Sequence, residues 1–328
     1  MKASLATSVL LILASTPGAH AAQPAASGAA DSNYPTKPIR LIVPQAPGGS
    51  NDVFARYIGS QLGERIGAQV VVDNRPGAEG MIGSEIVARA APDGYTMLMA
   101  STAFTMNPAV INKLPYDPIK DFDFVATLGR GPVLIIVGPS LPANSVKELV
   151  ALGKSKPNLI TMASAGGFMH FVSAMFRSQA GFDAVIALYR GGAPALIDVT
   201  GGSAHMAVAT IPTVGPYLRS GKVKALAIGS AKRLSIMPDL PTVSEAGVPG
   251  YEASIWWAFA ATGGTPATIV NRLNTEIAAI LKRADVEKRF AAEGAEAEPR
   301  TPAEIRKMIA ADLIKWAKVA KDANMAKQ

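Results

Sequence analysis

The chain has 328 residues, is 49% hydrophobic and 17% charged, and carries a formal net charge of +7 with three histidines and no cysteine. That length exceeds one ordinary hydrophobic core and points to two lobes. The missing cysteine excludes disulfides, thiolate metal sites and a lipid-modified N-terminal cysteine, while the scattered basic residues and few aromatics exclude a nucleic-acid surface.

In chain order, residues 1–21 are predicted to be a cleavable export signal. Lys2 precedes the apolar run SLATSVLLILA, and Ala19-His20-Ala21 forms a small-x-small cleavage site. The run is too short to span a bilayer. Cleavage after Ala21 leaves a flexible lead-in, 22–33. No later run approaches the roughly 18 apolar residues of a membrane span, so a soluble periplasmic protein is expected.

IRLIV (39–43) reads as a buried strand that passes through PQAPGGSND into a helix, with Val53, Tyr57, Ile58, Leu62 and Ile66 on its apolar face. QVVVD (69–73) is a second strand. NRPGAEG turns into the helix MIGSEIVARA, and PDG turns into the strand YTMLMAS (95–101). PVLIIVGPS (132–140) is again a strand. Asn144 or Ser145 caps a helix over 145–155, strengthened by Glu148 three residues after Ser145. LITMAS (159–164) runs through AGGFMH into FVSAMFRSQAG, and AVIALY precedes RGGAPALIDVTGG, a turn, short helix and glycine stop. HMAVAT (205–210) and VKALAIGS (223–230) supply two more strands. A loop rich in proline and glycine leads into IWWAFAA, and the last third is helical. The alternation indicates α/β architecture with mostly parallel strands, and no repeat of 20–50 residues suggests a solenoid.

Strands pass into helices at 46–51, 101–107 and 164–170, where free N–H groups and the positive dipole end favour an anion. PGGSND lacks the lysine of a Walker loop and the third glycine of a dinucleotide fingerprint. What remains is a smaller anion such as a carboxylate, held by backbone N–H groups with Ser50 or Asn51 assisting, or else an ordinary βα turn. Asp52 is expected to brace the loop. Ser164 and His170 raise a hydrolase reading, but GxSxG is absent and no third member can be assigned. His170 and His205, the histidines left after processing, are not spaced as metal ligands, and no cofactor is expected. Trp256 and Trp257 read as core, with one indole available to a cleft. Arg190 reads as a bidentate carboxylate partner or as a solvated or capping arginine.

PGGSNDVFAR, VVVDNRPGAEGMIGSEIVARAAPDGYT, YRGGAPALIDVTGG and PDLPTVSEAGVPGYE together resemble the Bug proteins, periplasmic solute-binding receptors of tripartite tricarboxylate transporters. The resemblance covers nearly the whole chain after the leader. It implies a two-lobed type II periplasmic-binding-protein fold, a Venus-flytrap, with lobe one at 34–138 plus 240–328 and lobe two at 139–239. It also implies a non-catalytic monomer that delivers a small carboxylate to membrane permease subunits, or signals to a sensor kinase. By resemblance the ligand is held by Gln45, Ala46, Gly48, Gly49 and Asn51, by Ser101 and Thr102, and by Ser164, Ala165, Gly166, Gly167 and His170, with Arg190 and Thr210 nearby. The loop ASAGGFMH is shorter than the family's usual GSxGxGSxxH, and Ala209 and Thr210 stand where acidic or amide residues are frequent. Phe168 and Met169 add apolar surface, which implies a carboxylate with an apolar or aromatic body.

Overall fold

A computed structural model describes residues 33–234, 236–322 and 327. The export signal and nearly all of the lead-in lie outside them. Strand β1 (Ile39–Val43) is flanked in parallel by β2 (Val70–Asn74) and β3 (Thr96–Ser101). Its near-continuous burial explains why the run is apolar without alternation. Helix α1 (Ser50–Ile66) follows β1 and is closed by Gly67 in the left-handed conformation, whose N–H reaches the Gly63 carbonyl. Its buried face is centred on Phe54, Ala55, Ile58 and Leu62, while Val53 and Tyr57 are only half-buried. The apolar stripe is thus rotated from the one expected. A short 3₁₀ turn (Ala78–Gly80) and α2 (Met81–Ala88) connect β2 to β3, and α3 (Thr102–Val110) starts directly at the end of β3.

Strand β4 (Phe122–Val137) begins ten residues before the run PVLIIVGPS and is shared by two sheets. From Phe122 to Pro132 it pairs with β9 (Ser254–Thr262), and from Val133 to Val137 with β7 (Met206–Thr210). Pro132, which has no N–H to give, stands where the ladder changes partners. The first sheet runs β2-β1-β3-β9-β4, with β10 (Glu296–Ala297) also on β4. A side chain at Gly129 would fall on the Glu296 carbonyl, so glycine is what lets β10 dock there. The second runs β4-β7-β5-β6, where β5 is Ile160–Ser164 and β6 is Ala184–Leu188, and β8 (Lys224–Ile228) lies on the other side of β4.

IWWAFAA forms β9, inserted antiparallel between β3 and β4. Trp257 is fully buried, its ring 4.5 Å from that of Phe54, and Trp256 donates its indole N–H to Asp312 at 2.7 Å. In the second sheet α4 (Val146–Ser155) has the expected capping pattern. Ser145 Oγ accepts from Glu148 N–H at 3.2 Å, and the Glu148 carboxylate accepts from Asn144 N–H at 2.8 Å. Helices α5 (Gly167–Ala180), α6 (Gly192–Gly201) and α7 (Ile211–Arg219) follow β5, β6 and β7. The chain closes with α8 (Ala267–Leu281), α9 (Ala284–Ala292) and α10 (Pro302–Asp322). Trp316 of α10 sits edge-on against Phe168 and Phe171 of α5, ring centres 5.7 and 5.4 Å apart.

Candidate functional site

A cleft of about 570 Å³ lies between the two sheets, at the carboxyl ends of β1, β3, β5, β6 and β7. Five helices begin on its wall: α1 after Gly49, α3 after Ser101, α5 after Gly166, α6 after Gly191 and α7 after Thr210. None of these capping positions makes a side-chain cap hydrogen bond. Each helix start therefore points N–H groups and roughly half a positive charge at the cleft. Among the lining residues only Glu79 and Arg190 are charged.

The β1–α1 loop is fixed by contacts within the protein. Gly48 takes φ 84, open to glycine at no steric cost, and its N–H donates to Asp52 Oδ2 at 3.0 Å. Asn74 donates to Asp52 Oδ1 at 3.0 Å and to the Gln45 carbonyl at 3.0 Å, and Arg56 pairs with Asp52 at 2.9 Å. Burial pushes the Asp52 carboxyl up, but hydrogen bonds from Arg56, Gly48 and Asn74 outweigh it and hold the group below the usual carboxylate range. Asp52 is thus a brace of the loop. Asn51 spends its amide N–H groups on the Gln45 side-chain oxygen and on Ser101 Oγ, tying the loop to the end of β3.

Of the residues assigned to the ligand from sequence, Gln45, Ala46, Gly49, Asn51, Ser101, Ala165, Gly166, Gly167, Arg190 and Thr210 come together on the wall of this one cleft. Gly48, Thr102, Ser164 and His170 are not on it. Gly48 faces Ala193 of α6 on the opposite side, where a Cβ would come within 3.3 Å. Thr102 is buried and accepts the Trp256 backbone N–H at 3.0 Å. Ser164 is fully buried, its Oγ receiving Gly166 N–H at 3.4 Å. His170 is half-buried with its Nδ1 enclosed and unpartnered. Burial lowers its pKa, the nearby Glu79 carboxylate opposes this, and Arg177 adds to the lowering. His205 Nδ1 accepts Thr161 N–H at 3.0 Å, a structural role. Neither Trp256 nor Trp257 lines the cleft; their neighbour Ile255 does.

Residues that the sequence reading passed over also line it, notably Glu79, Ile82, Leu188, Tyr189, Gly191 and Thr213. Tyr189 donates to Asp198 at 2.6 Å, which pushes its hydroxyl up to about 12. Glu79 had one signal available, an acidic residue set among the glycines of NRPGAEG. Across the cleft the walls touch: a Cβ on Gly191 would come 2.9 Å from the Ala46 Cβ.

Two α/β lobes joined through a shared strand, with one cleft between them collecting helix N-termini, define a periplasmic solute-binding protein. Residues 54–325 match the family described as the tripartite tricarboxylate transporter family receptor, TctC, and the chain belongs to it. It is 35% identical over 293 residues to protein BugT of Bordetella pertussis, covering 88% of this chain and 90% of BugT. Among solved structures, R. palustris Rpa4515 with adipate is 34% identical with a TM-score of 0.87, covering 90% of this chain and 100% of that one. MatC from Rhodopseudomonas palustris with bound malate is 30% identical with a TM-score of 0.83, covering 87% and 99%. The protein is a binding protein and not an enzyme.

Proposed function

We propose that the protein captures a small carboxylate in this cleft and presents it to the permease subunits of a tripartite tricarboxylate transporter. The observation that carries the reading is the convergence of five helix N-termini, none closed by the side chain of its own N-cap residue, on a wall whose single carboxylate, Glu79, meets one of them. Such an arrangement offers backbone N–H donors and positive potential to an anion without requiring a basic side chain. The adipate and malate held by two relatives support a carboxylate as ligand. The family description supports a permease as partner. The apolar contribution of Ile82, Met169, Leu188 and Ile255 to the wall favours a ligand with an apolar or aromatic body.

On this reading the protein works as a monomer in the periplasm, exported by a leader cut after Ala21. Its lobes hinge where β4 changes sheets at Pro132–Val133 and along the return segment 229–253, near the expected lobe limits at 138 and 239. Ligand stabilises the closed form by binding it better than the open one. A thermal-shift screen of mono-, di- and tricarboxylates, aliphatic and aromatic, against neutral sugars and cationic amines tests the proposal. Stabilisation by one class of carboxylate is expected. Stabilisation only by sugars or amines overturns it.

A further inference from the structure

Glu79 is not explained by a receptor that merely needs anion donors. It sits in the turn between β2 and α2 with φ 55 and ψ 28, beside Ala78 at φ 46. Two successive non-glycine residues in the left-handed region are uncommon and strained, and they persist only where surroundings hold them. Here Asn107 Nδ2 donates to the Glu79 carbonyl at 3.0 Å and fixes the turn. The side chain then crosses the cleft, and its Oε2 accepts the N–H of Gly167, the first residue of α5. The receiving loop is shaped for this approach. A Cβ on Gly166 would stand 3.0 Å from Glu79 Oε2, and one on Gly167 3.4 Å from it.

The consequence is chemical. Of the five helix starts on the cleft, the one at α5 already holds a carboxylate that belongs to the protein. We propose that Glu79 is a specificity-determining residue that takes the α5 end of the cleft, so that the site accepts acids with one anionic end and disfavours a second carboxylate. This rests on the carboxylate reading above and narrows it. A ligand carboxylate takes the remaining donors at α1, α3, α6 and α7. The rest of the ligand lies toward Glu79 along Ile82, Ala165, Met169 and Leu188, a stretch of wall without a cation. Arg190, the one basic lining residue, follows β6. A second ligand carboxylate reaching α5 would displace Glu79 from Gly167 or lie beside it, and like charges in direct contact repel.

Calorimetric affinities for chain-matched acids test this: butanoate with succinate, hexanoate with adipate, octanoate with suberate. They are measured on the wild type, on Glu79→Gln, which keeps size and an acceptor oxygen, and on Glu79→Gly, which suits the backbone at φ 55. In the best-fitting pair the wild type should favour the monoacid, and both variants should move the mono-to-diacid ratio toward the diacid by about tenfold or more. Circular dichroism checks that both variants are folded. An unchanged ratio in the folded variants, or a wild type that prefers the diacid, overturns the role of Glu79 and leaves the carboxylate reading standing. If none of the three proteins binds any acid while another ligand class stabilises the wild type, the carboxylate reading falls and this inference with it.

Discussion

Replacing Gly191 with alanine separates the stability of the fold from its closure. Gly191 has φ 141 and ψ 175, a region essentially reserved to glycine, where another residue costs ~1–3 kcal/mol. That strain acts whether the cleft is open or shut. The new Cβ would also come 2.9 Å from the Ala46 Cβ on the opposite wall. Carbon atoms pack best at roughly 3.5–4.0 Å, so one wall must yield by more than half an ångström. Overpacking of this size costs ~1–3 kcal/mol, and here it falls on the shut form alone. The free variant should therefore melt earlier and, independently, bind its carboxylate about 5- to 150-fold more weakly. Thermal unfolding without ligand reads the first effect and calorimetry reads the second. Adding Ala46→Gly removes the opposing methyl, so the double variant should regain affinity while keeping the unfolding deficit. Unchanged affinity in Gly191→Ala, or no recovery in the double variant, refutes a bound form in which the walls meet at these residues.

Two further outcomes are expected. Gly49 has φ −84, which any residue adopts, and a Cβ there meets only the Ala46 carbonyl at 3.9 Å. Gly49→Val should leave the unfolding midpoint nearly unchanged yet weaken binding about tenfold or more, by filling the cleft at the start of α1; calorimetry with unaltered affinity would remove this loop from the site. His170 has a folded pKa below the ordinary 6.5 because it is buried. On acidification the unfolded chain then takes up the proton first, so stability is complete above about pH 6.5, falls as pH drops through that value, and levels off below the folded pKa. His170→Gln should flatten the melting temperature across this window, and an identical slope in wild type and variant would assign the loss to other groups.

Most of the α/β framework was legible because strands covered on both faces write themselves as unbroken apolar runs, although the sheets are mixed rather than mostly parallel: β3 with β9 and every pair that β4 makes are antiparallel. IRLIV and HMAVAT are buried almost throughout and needed no alternation to be seen. The capping pattern at Ser145 and Glu148 was local and equally readable. The first half of β4 was not, since its pairing register shifts between Phe124 and Ala126 and again between Thr127 and Gly129, which breaks the two-residue period. At the site, sequence located the loops but not the direction of each side chain. Ser164 and Thr102 stand at strand ends like Ser101, yet they turn into the core and spend their oxygens on Gly166 and Trp256. Glu79 meets Gly167 across 88 positions of chain. No local spacing encodes such a pair, because it exists only once two sheets have been brought face to face.

Strand β4 makes the joint between those sheets unusual in its mechanics. It runs unbroken through both, and between its ladders with β8 and β9 the returning chain is stitched to it at the change of sheets. Gly229 N–H donates to the Val133 carbonyl at 2.7 Å, and Ala253 N–H donates to the Gly229 carbonyl at 2.7 Å. Two ties fastened together resist sliding and torsion far more than bending. On the proposed hinge the lobes would be left with essentially one direction of travel, like a book on its spine. Any two labels placed on opposite rims of the cleft should then report the same single coordinate. A fluorescent pair far from the ligand would follow occupancy as faithfully as one beside it, which makes the scaffold suited to an optical sensor whose cleft is left untouched.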